Sequence, residues 1–191
     1  MGKESHFTSI NDFKNKFTSV RPNLFRIVLP SFESFPFLKN NFIKSDKVKD
    51  IYLYCKVAAL PESLLEEISV AYLGRYFYEG TDRTFNNLNL TFYNSQDFAI
   101  RNFIEFWMNH INGNVSNHQI ENIQDDYNQF LDTMTIQQLD RRENVIKSYD
   151  FHGCYPIRCS EIELDYSQNN TLEEFSTVFR YQYFDTQELF K

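Results

Sequence analysis

Residues 87–111 read NLNLTFYNSQDFAIRNFIEFWMNHI, and the period of their apolar residues changes partway along. Leu88, Leu90 and Phe92 alternate with Asn87, Asn89 and Thr91, the two-residue rhythm of a strand with one buried face. From Ile100 onward, Phe103, Ile104, Trp107 and Ile111 fall on one face of a helix instead. Asn94, Ser95 or Asp97 would cap its start, and Gly113 stands where a glycine would end it. A half-wet strand feeding an amphipathic helix calls for further strands to close a core around both.

The flanking sequence supplies them. Upstream, Phe25, Ile27 and Leu29 share one face of a short strand over Leu24–Leu29 that stops at Pro30. Residues 31–50 lack a clear period and read as a long loop. Ile51, Leu53, Cys55 and Val57 then alternate with Tyr52, Tyr54 and Lys56, Ala59-Leu60-Pro61-Glu62 makes a break, and Ile68, Val70 and Tyr72 form another half-buried alternation. Gly74 and Gly80 mark turns. Downstream, 114–130 is a polar loop, and Leu131–Leu139 and Val145–Phe151 flank the turn-like Asp140-Arg141-Arg142-Glu143-Asn144 as a hairpin. Glu161, Glu163 and Asp165 alternate with Ile162, Leu164 and Tyr166 as a strand with three carboxylates on one face. A last long strand is expected over Leu172–Phe184, with Phe175, Thr177, Phe179, Tyr181 and Tyr183 on one side. Seven or eight strands and one helix predict a mainly β fold, an antiparallel β-sandwich or barrel with one flanking α-helix. Residues 1–22 are expected to form an N-terminal arm, and 23–191 a single domain.

Composition narrows the function. The chain of 191 residues carries 20 Phe, 12 Tyr and one Trp, a supply of apolar area that suits subunit interfaces as well as a monomer core. A net charge of -7 argues against a surface built to grip nucleic acid, which shows clustered Lys and Arg. The start of the chain has no apolar secretory run, and no apolar stretch approaches the ~20 residues that span a bilayer. The three cysteines, Cys55, Cys154 and Cys159, are therefore expected to be reduced, as in a product of the cytoplasm. His152, Cys154 and Cys159 gather metal-ligand types, but H-x-C-x4-C is no zinc spacing, and a fourth ligand would have to come from Cys55 or His110. Two buried thiols and a turn histidine is the simpler reading. With five glycines there is no phosphate-binding loop, and no G-x-S-x-G elbow. No catalytic residue, metal or cofactor is expected.

One ordered set of segments goes further than composition. Leu60-Pro61-Glu62, Glu67-Ile68-Ser69-Val70, Leu73-Gly74-Arg75 and Arg83-Thr84-Phe85 are followed by Leu90-Thr91-Phe92-Tyr93-Asn94 and Phe106-Trp107-Met108-Asn109. Then come Phe151-His152-Gly153-Cys154-Tyr155-Pro156 and Phe175-Ser176-Thr177-Val178-Phe179-Arg180-Tyr181-Gln182-Tyr183-Phe184. Their order over about two-thirds of the chain resembles the tail tube family of contractile-tailed phages.

That resemblance implies a virion protein whose β-domains join into hexameric rings. The rings stack inside a contractile sheath and conduct DNA into the host. Its partners would be copies of itself, the sheath, tape-measure and baseplate proteins, and DNA that passes without specific binding, with assembly in the host cytoplasm. A tube-like baseplate initiator, or the tube of a type VI secretion-like machine, are the alternatives within the same architecture. Six copies would carry about -42, a field that repels phosphate, so Glu161, Glu163 and Asp165 are candidates for an acidic stripe lining the lumen. The candidate subunit interface is Phe32, Phe35, Phe37, Phe42, Leu60 and Pro61.

Overall fold

The computed structural model describes residues 10–11, 13, 19–30, 53–115 and 131–188. From Phe25 onward the elements among the described residues follow in the order β1 (Phe25–Val28), β2 (Cys55–Ala58), β3 (Ser63–Tyr72), β4 (Arg75–Phe85), β5 (Leu88–Tyr93), α1 (Ala99–Ile111), β6 (Asp132–Leu139), β7 (Val145–Cys159), β8 (Glu174–Arg180) and β9 (Tyr183–Glu188). All strand pairs are antiparallel. The mainly β fold with a flanking helix is the one the residue patterns predict.

Seven strands form one folded sheet in the order β1-β6-β7-β8-β5-β2, with β9 also on β7. The fifteen-residue β7 holds the two halves together. Its first part, Lys147–His152, pairs with β9, and its last part, Tyr155–Cys159, pairs with β8. β8 and β9 therefore run along the same edge of β7 as one interrupted strand. At the interruption Gly153 takes φ +67°, and the Gln182 N–H donates to the His152 carbonyl at 2.9 Å. A Cβ on Gly153 would lie 2.6 Å from Gln182 Cγ, so glycine is required there both for its backbone angle and for space. This slip corrects the expectation of a single strand over 172–184. Tyr181 is buried and Phe184 packs on the core, whereas Tyr183 turns out to solvent.

Between the sheet halves and α1 lies one aromatic core. Leu88, Leu90 and Phe92 of β5 are buried, as their alternation predicts, against Phe175 and Phe179 of β8. Trp107 is fully buried, 5.7 Å from Phe103 and 6.1 Å from Phe179 by ring centroids. Ile27 lies across from Ile136 where β1 pairs β6, Met134 lies across from Phe151 where β6 pairs β7, and with Leu29 they complete the core. The helix covers its expected span, but its N-cap is Phe98 in the left-handed region with no side-chain cap, and Asn112 ends it. The hairpin of β6 and β7 turns at the expected place. Asp140 accepts from the Asn144 side chain at 3.0 Å and from the N–H groups of Asn144 and Arg142 at 2.9 and 2.6 Å, and these bonds, the Asn144 side chain's first, hold its carboxyl below the usual range.

Four other expectations are corrected. In β2 a register shift between Cys55 and Val57 turns Val57 outward, and Leu53 is also exposed, so the alternation over 51–57 does not hold one buried face. Gly80 lies inside β4, covered by Leu65, and is no turn. Residues 161–166 are not a strand. β7 ends where the Ser160 hydroxyl accepts from the Ser176 N–H at 2.9 Å. Asp165 then caps a turn by accepting from the Ser167 N–H at 2.9 Å and the Ser167 hydroxyl at 2.7 Å. Lastly, Ile68, Val70 and Tyr72 belong to no half-buried sheet, because β3 pairs with β4 alone.

Candidate functional site

β3 and β4 make a two-stranded hairpin that stands apart from the seven-stranded sheet. The sequence favours it locally. Leu73 and Gly74 both take positive φ, 49° and 78°, as a two-residue turn between right-twisted strands requires. The register runs Tyr72↔Arg75, Ala71↔Tyr76, Val70↔Phe77, Ser69↔Tyr78 and Ile68↔Glu79, until a bulge after Leu65. Alternation then puts Ile68, Val70, Tyr72 and Phe77 on one face and Ala71, Tyr76 and Tyr78 on the other.

Neither face is covered. Every residue of β3 is exposed, and so is every residue of β4 except Phe85 at its base. Tyr72 keeps 71% of its surface in water and Phe77 keeps 67%. A lone hairpin is at best marginally stable in water, and a contiguous apolar patch on a folded chain marks a contact surface. Two uncovered aromatic faces on one arm fit a contact made by both.

The arm leaves the body beside a cleft of about 650 Å³ lined by Leu60, Pro61, Asn86, Asn89, Ile157 and Val178, among others. Asn86 donates to Glu62 at 2.6 Å across the root of the arm. Two of the predicted interface residues therefore sit together, Leu60 exposed and Pro61 half-buried, at the base of the arm. The other four, Phe32, Phe35, Phe37 and Phe42, lie outside the described residues. Sequence reading missed the arm itself. The signal for it was present, because Leu64-Leu65 and Tyr76-Phe77-Tyr78 place apolar side chains on both parities of a strand, the mark of a strand meant to be covered on both faces.

The acidic residues occupy a different place. Glu161, Glu163 and Asp165 are all exposed, in the loop between β7 and β8, where Leu164, Tyr166 and Leu172 are exposed as well. Asp165 is held below the ordinary carboxylate range by its bonds from the Ser167 backbone and side chain. Polar side chains of β2, β5 and β8 pair with one another on the outward face. Lys56 binds both oxygens of Glu174 at 2.8 and 2.7 Å, Thr91 and Ser176 hydroxyls lie 3.2 Å apart, and Arg180 donates to Asn87 at 3.0 Å.

The thiols are tucked in. Burial pushes Cys154 and Cys55 up to about 12 and raises Cys159, opposite to what a nucleophile or metal ligand needs. His152 stacks on Tyr183, with ring centroids 4.7 Å apart, and its Nδ1 lies 3.3 Å from the Thr133 hydroxyl. Among the described residues no group of His, Cys, Asp and Glu is placed to hold a metal ion.

Known proteins resemble this chain in sequence and in shape. The family model described as "Phage tail tube protein" matches residues 13–187. The tail tube protein of Serratia phage KSP90 is 32% identical over 137 residues, covering 72% of this chain and 75% of that protein. Tail tube protein gp19 of Enterobacteria phage T4 is 24% identical over 180 residues, covering 92% and 99%. Among solved structures, the tube-terminating cap of the anti-feeding prophage superposes with a TM-score of 0.62 at 11% identity, over 98% of this chain and 99% of the cap chain. A chain of the sheath–tube complex of the extracellular injection system PVC gives a TM-score of 0.53 at 10% identity, covering 96% and 100%. At these identities the structural likenesses speak for the fold.

Proposed function

The chain belongs to the phage tail tube protein family, and on that premise we propose that its copies close into hexameric rings, stack axially within a contractile sheath, and conduct DNA through their lumen. It is a tail tube subunit, a structural component of the virion tail. The observation that carries the assembly reading is the β3–β4 arm, whose two apolar faces lack partners within the described residues of the subunit. A second copy is the simplest source of a covering surface, because the same arm recurs on every copy. The folded sheet also ends in edge strands, β1 and β2, with hydrogen-bonding groups to offer a neighbour.

Sheath and baseplate contacts belong to the same proposal. Solved structures of similar fold include a chain of the PVC sheath–tube complex and one of the anti-feeding prophage baseplate, the latter with a TM-score of 0.51 at 11% identity. DNA would pass without specific binding, a reading supported by the net charge of -7. Assembly in the host cytoplasm fits three free thiols. A scaffolding role without catalysis is supported by the family to which the chain belongs.

The test is negative-stain electron microscopy of the purified chain at high concentration, with and without a baseplate. Tubes or six-fold rings are the expected result. A chain that stays monomeric under every seeding condition would refute the reading.

A further inference from the structure

The arm and the acidic loop lie at opposite ends of the same part of the sheet. β5 begins, just after the arm, at Leu88 opposite Phe179, and it ends at Tyr93 opposite Glu174, the residue that follows the acidic loop. The arm thus joins the sheet at the Leu88 end, and the loop of residues 160–173 at the Tyr93 end. Ten residues of extended β3 reach about 34 Å, well beyond the ~17–20 Å spanned by the six residues of β5.

Their chemistry is complementary. Residues 70–78 at the arm's tip expose Tyr72, Leu73, Tyr76, Phe77 and Tyr78 around one charged residue, Arg75. Among the described residues Arg75 has no ion pair. Residues 160–173 contain four carboxylates, Glu161, Glu163, Asp165 and Glu173, and no Lys or Arg. Their apolar side chains are displayed too, with Leu164 84% exposed. They border an open cavity of about 610 Å³ lined by Ile162, Glu163, Leu164, Tyr166 and Leu172. A cationic aromatic tip and an anionic apolar hollow at opposite ends describe the two halves of a head-to-tail contact.

We infer that the β3–β4 tip of one subunit docks in the 160–173 loop of a second copy, with Arg75 facing Glu163 and its acidic neighbours. This rests on the self-assembly reading and gives the loop an intersubunit role in place of the lumen lining suggested by its charge. The contact is heterologous. Each subunit offers a tip at one end and a hollow at the other, so the assembly is polar and extends without closing along that direction.

Two variants test it, Leu73→Cys at the tip and Leu164→Cys in the loop, each adding one thiol to the native Cys55, Cys154 and Cys159, with the unsubstituted chain oxidised alongside as the control for native cross-links. Mixed, assembled and mildly oxidised, they are expected to give a disulfide-linked dimer of unlike chains, whereas neither variant alone does. Dimers from Leu73→Cys alone would mean that tips pair with tips, and would overturn the proposal. So would tubes in which the mixture does not cross-link. Arg75→Glu should lower the assembled fraction at least tenfold, with unchanged thermal unfolding, and Glu163→Lys in the same chain should restore most of it. Unimpaired assembly of Arg75→Glu also overturns the tip–loop contact, while leaving the assembly reading intact. Failure of the unsubstituted chain to form tubes strikes at the assembly reading itself.

Discussion

Replacing Phe77 with serine separates the two energies of this molecule, folding and assembly. Phe77 leaves 67% of its surface in water, on an arm that pairs with nothing in the seven-stranded sheet. An aromatic side chain buries about 150–250 Å² when fully covered, so the uncovered two-thirds is roughly 100–170 Å². At about 25 cal/mol per Å², covering it at an interface contributes about 2.5–4 kcal/mol per contact. The expected loss is therefore about 60- to 700-fold in the affinity of each contact. Chemical or thermal unfolding of the unassembled subunit should shift by no more than about 0.5 kcal/mol, as for other exposed sites. Trp107→Ala is the matched opposite. That indole is fully buried against Phe103 and Phe179, and its loss should cost about 3–5 kcal/mol of subunit stability. The assay is the critical concentration for tube formation by sedimentation, alongside urea unfolding of the unassembled chain. If Phe77→Ser polymerises at the same concentration as the unsubstituted chain, the arm is no assembly surface. If it instead destabilises the subunit by several kcal/mol, the arm packs on the body and the reasoning from exposure fails.

Gly153→Ala should destabilise by about 1–3 kcal/mol, because it forces a left-handed backbone on a residue whose Cβ meets Gln182. Adding Gln182→Ala should recover only part of this, as measured by a double-mutant cycle in urea. Cys154 and Cys55, pushed up to about 12, should resist iodoacetamide at pH 8 in the folded chain and react on unfolding, which mass spectrometry would read directly. A thiol whose folded pKa is raised adds stability that is complete below its unfolded value near 9 and is lost as pH rises toward about 12, so urea midpoints should fall over that alkaline range. Asp140→Ala removes the acceptor for the Arg142 and Asn144 N–H groups, and faster amide exchange at the β6–β7 turn is the expected result. Unchanged protection there would contradict the capping role.

What local sequence settled was the set of elements whose burial is one-sided. Leu88, Leu90 and Phe92 in β5, Phe103, Ile104 and Trp107 in α1, and the turn at Asp140 follow from periodicity and turn chemistry alone, because each needs only its own neighbours to be read. The order of its motifs also carried the family resemblance. Tertiary structure decided the rest. Alternation over 68–72 says that a strand is amphipathic but not which molecule covers it, so the same pattern that buries β5 in the core leaves β3 exposed on an arm. The split of β8 from β9 depends on Gly153 lying across from Gln182, a juxtaposition made by pairing between residues about thirty apart in the chain. The carboxylates at 161, 163 and 165 read as a strand until the Ser160 and Asp165 side chains turn the backbone aside. Period is a local property that sequence fixes. The identity of the covering surface is a non-local one, and only the folded arrangement of strands determines it.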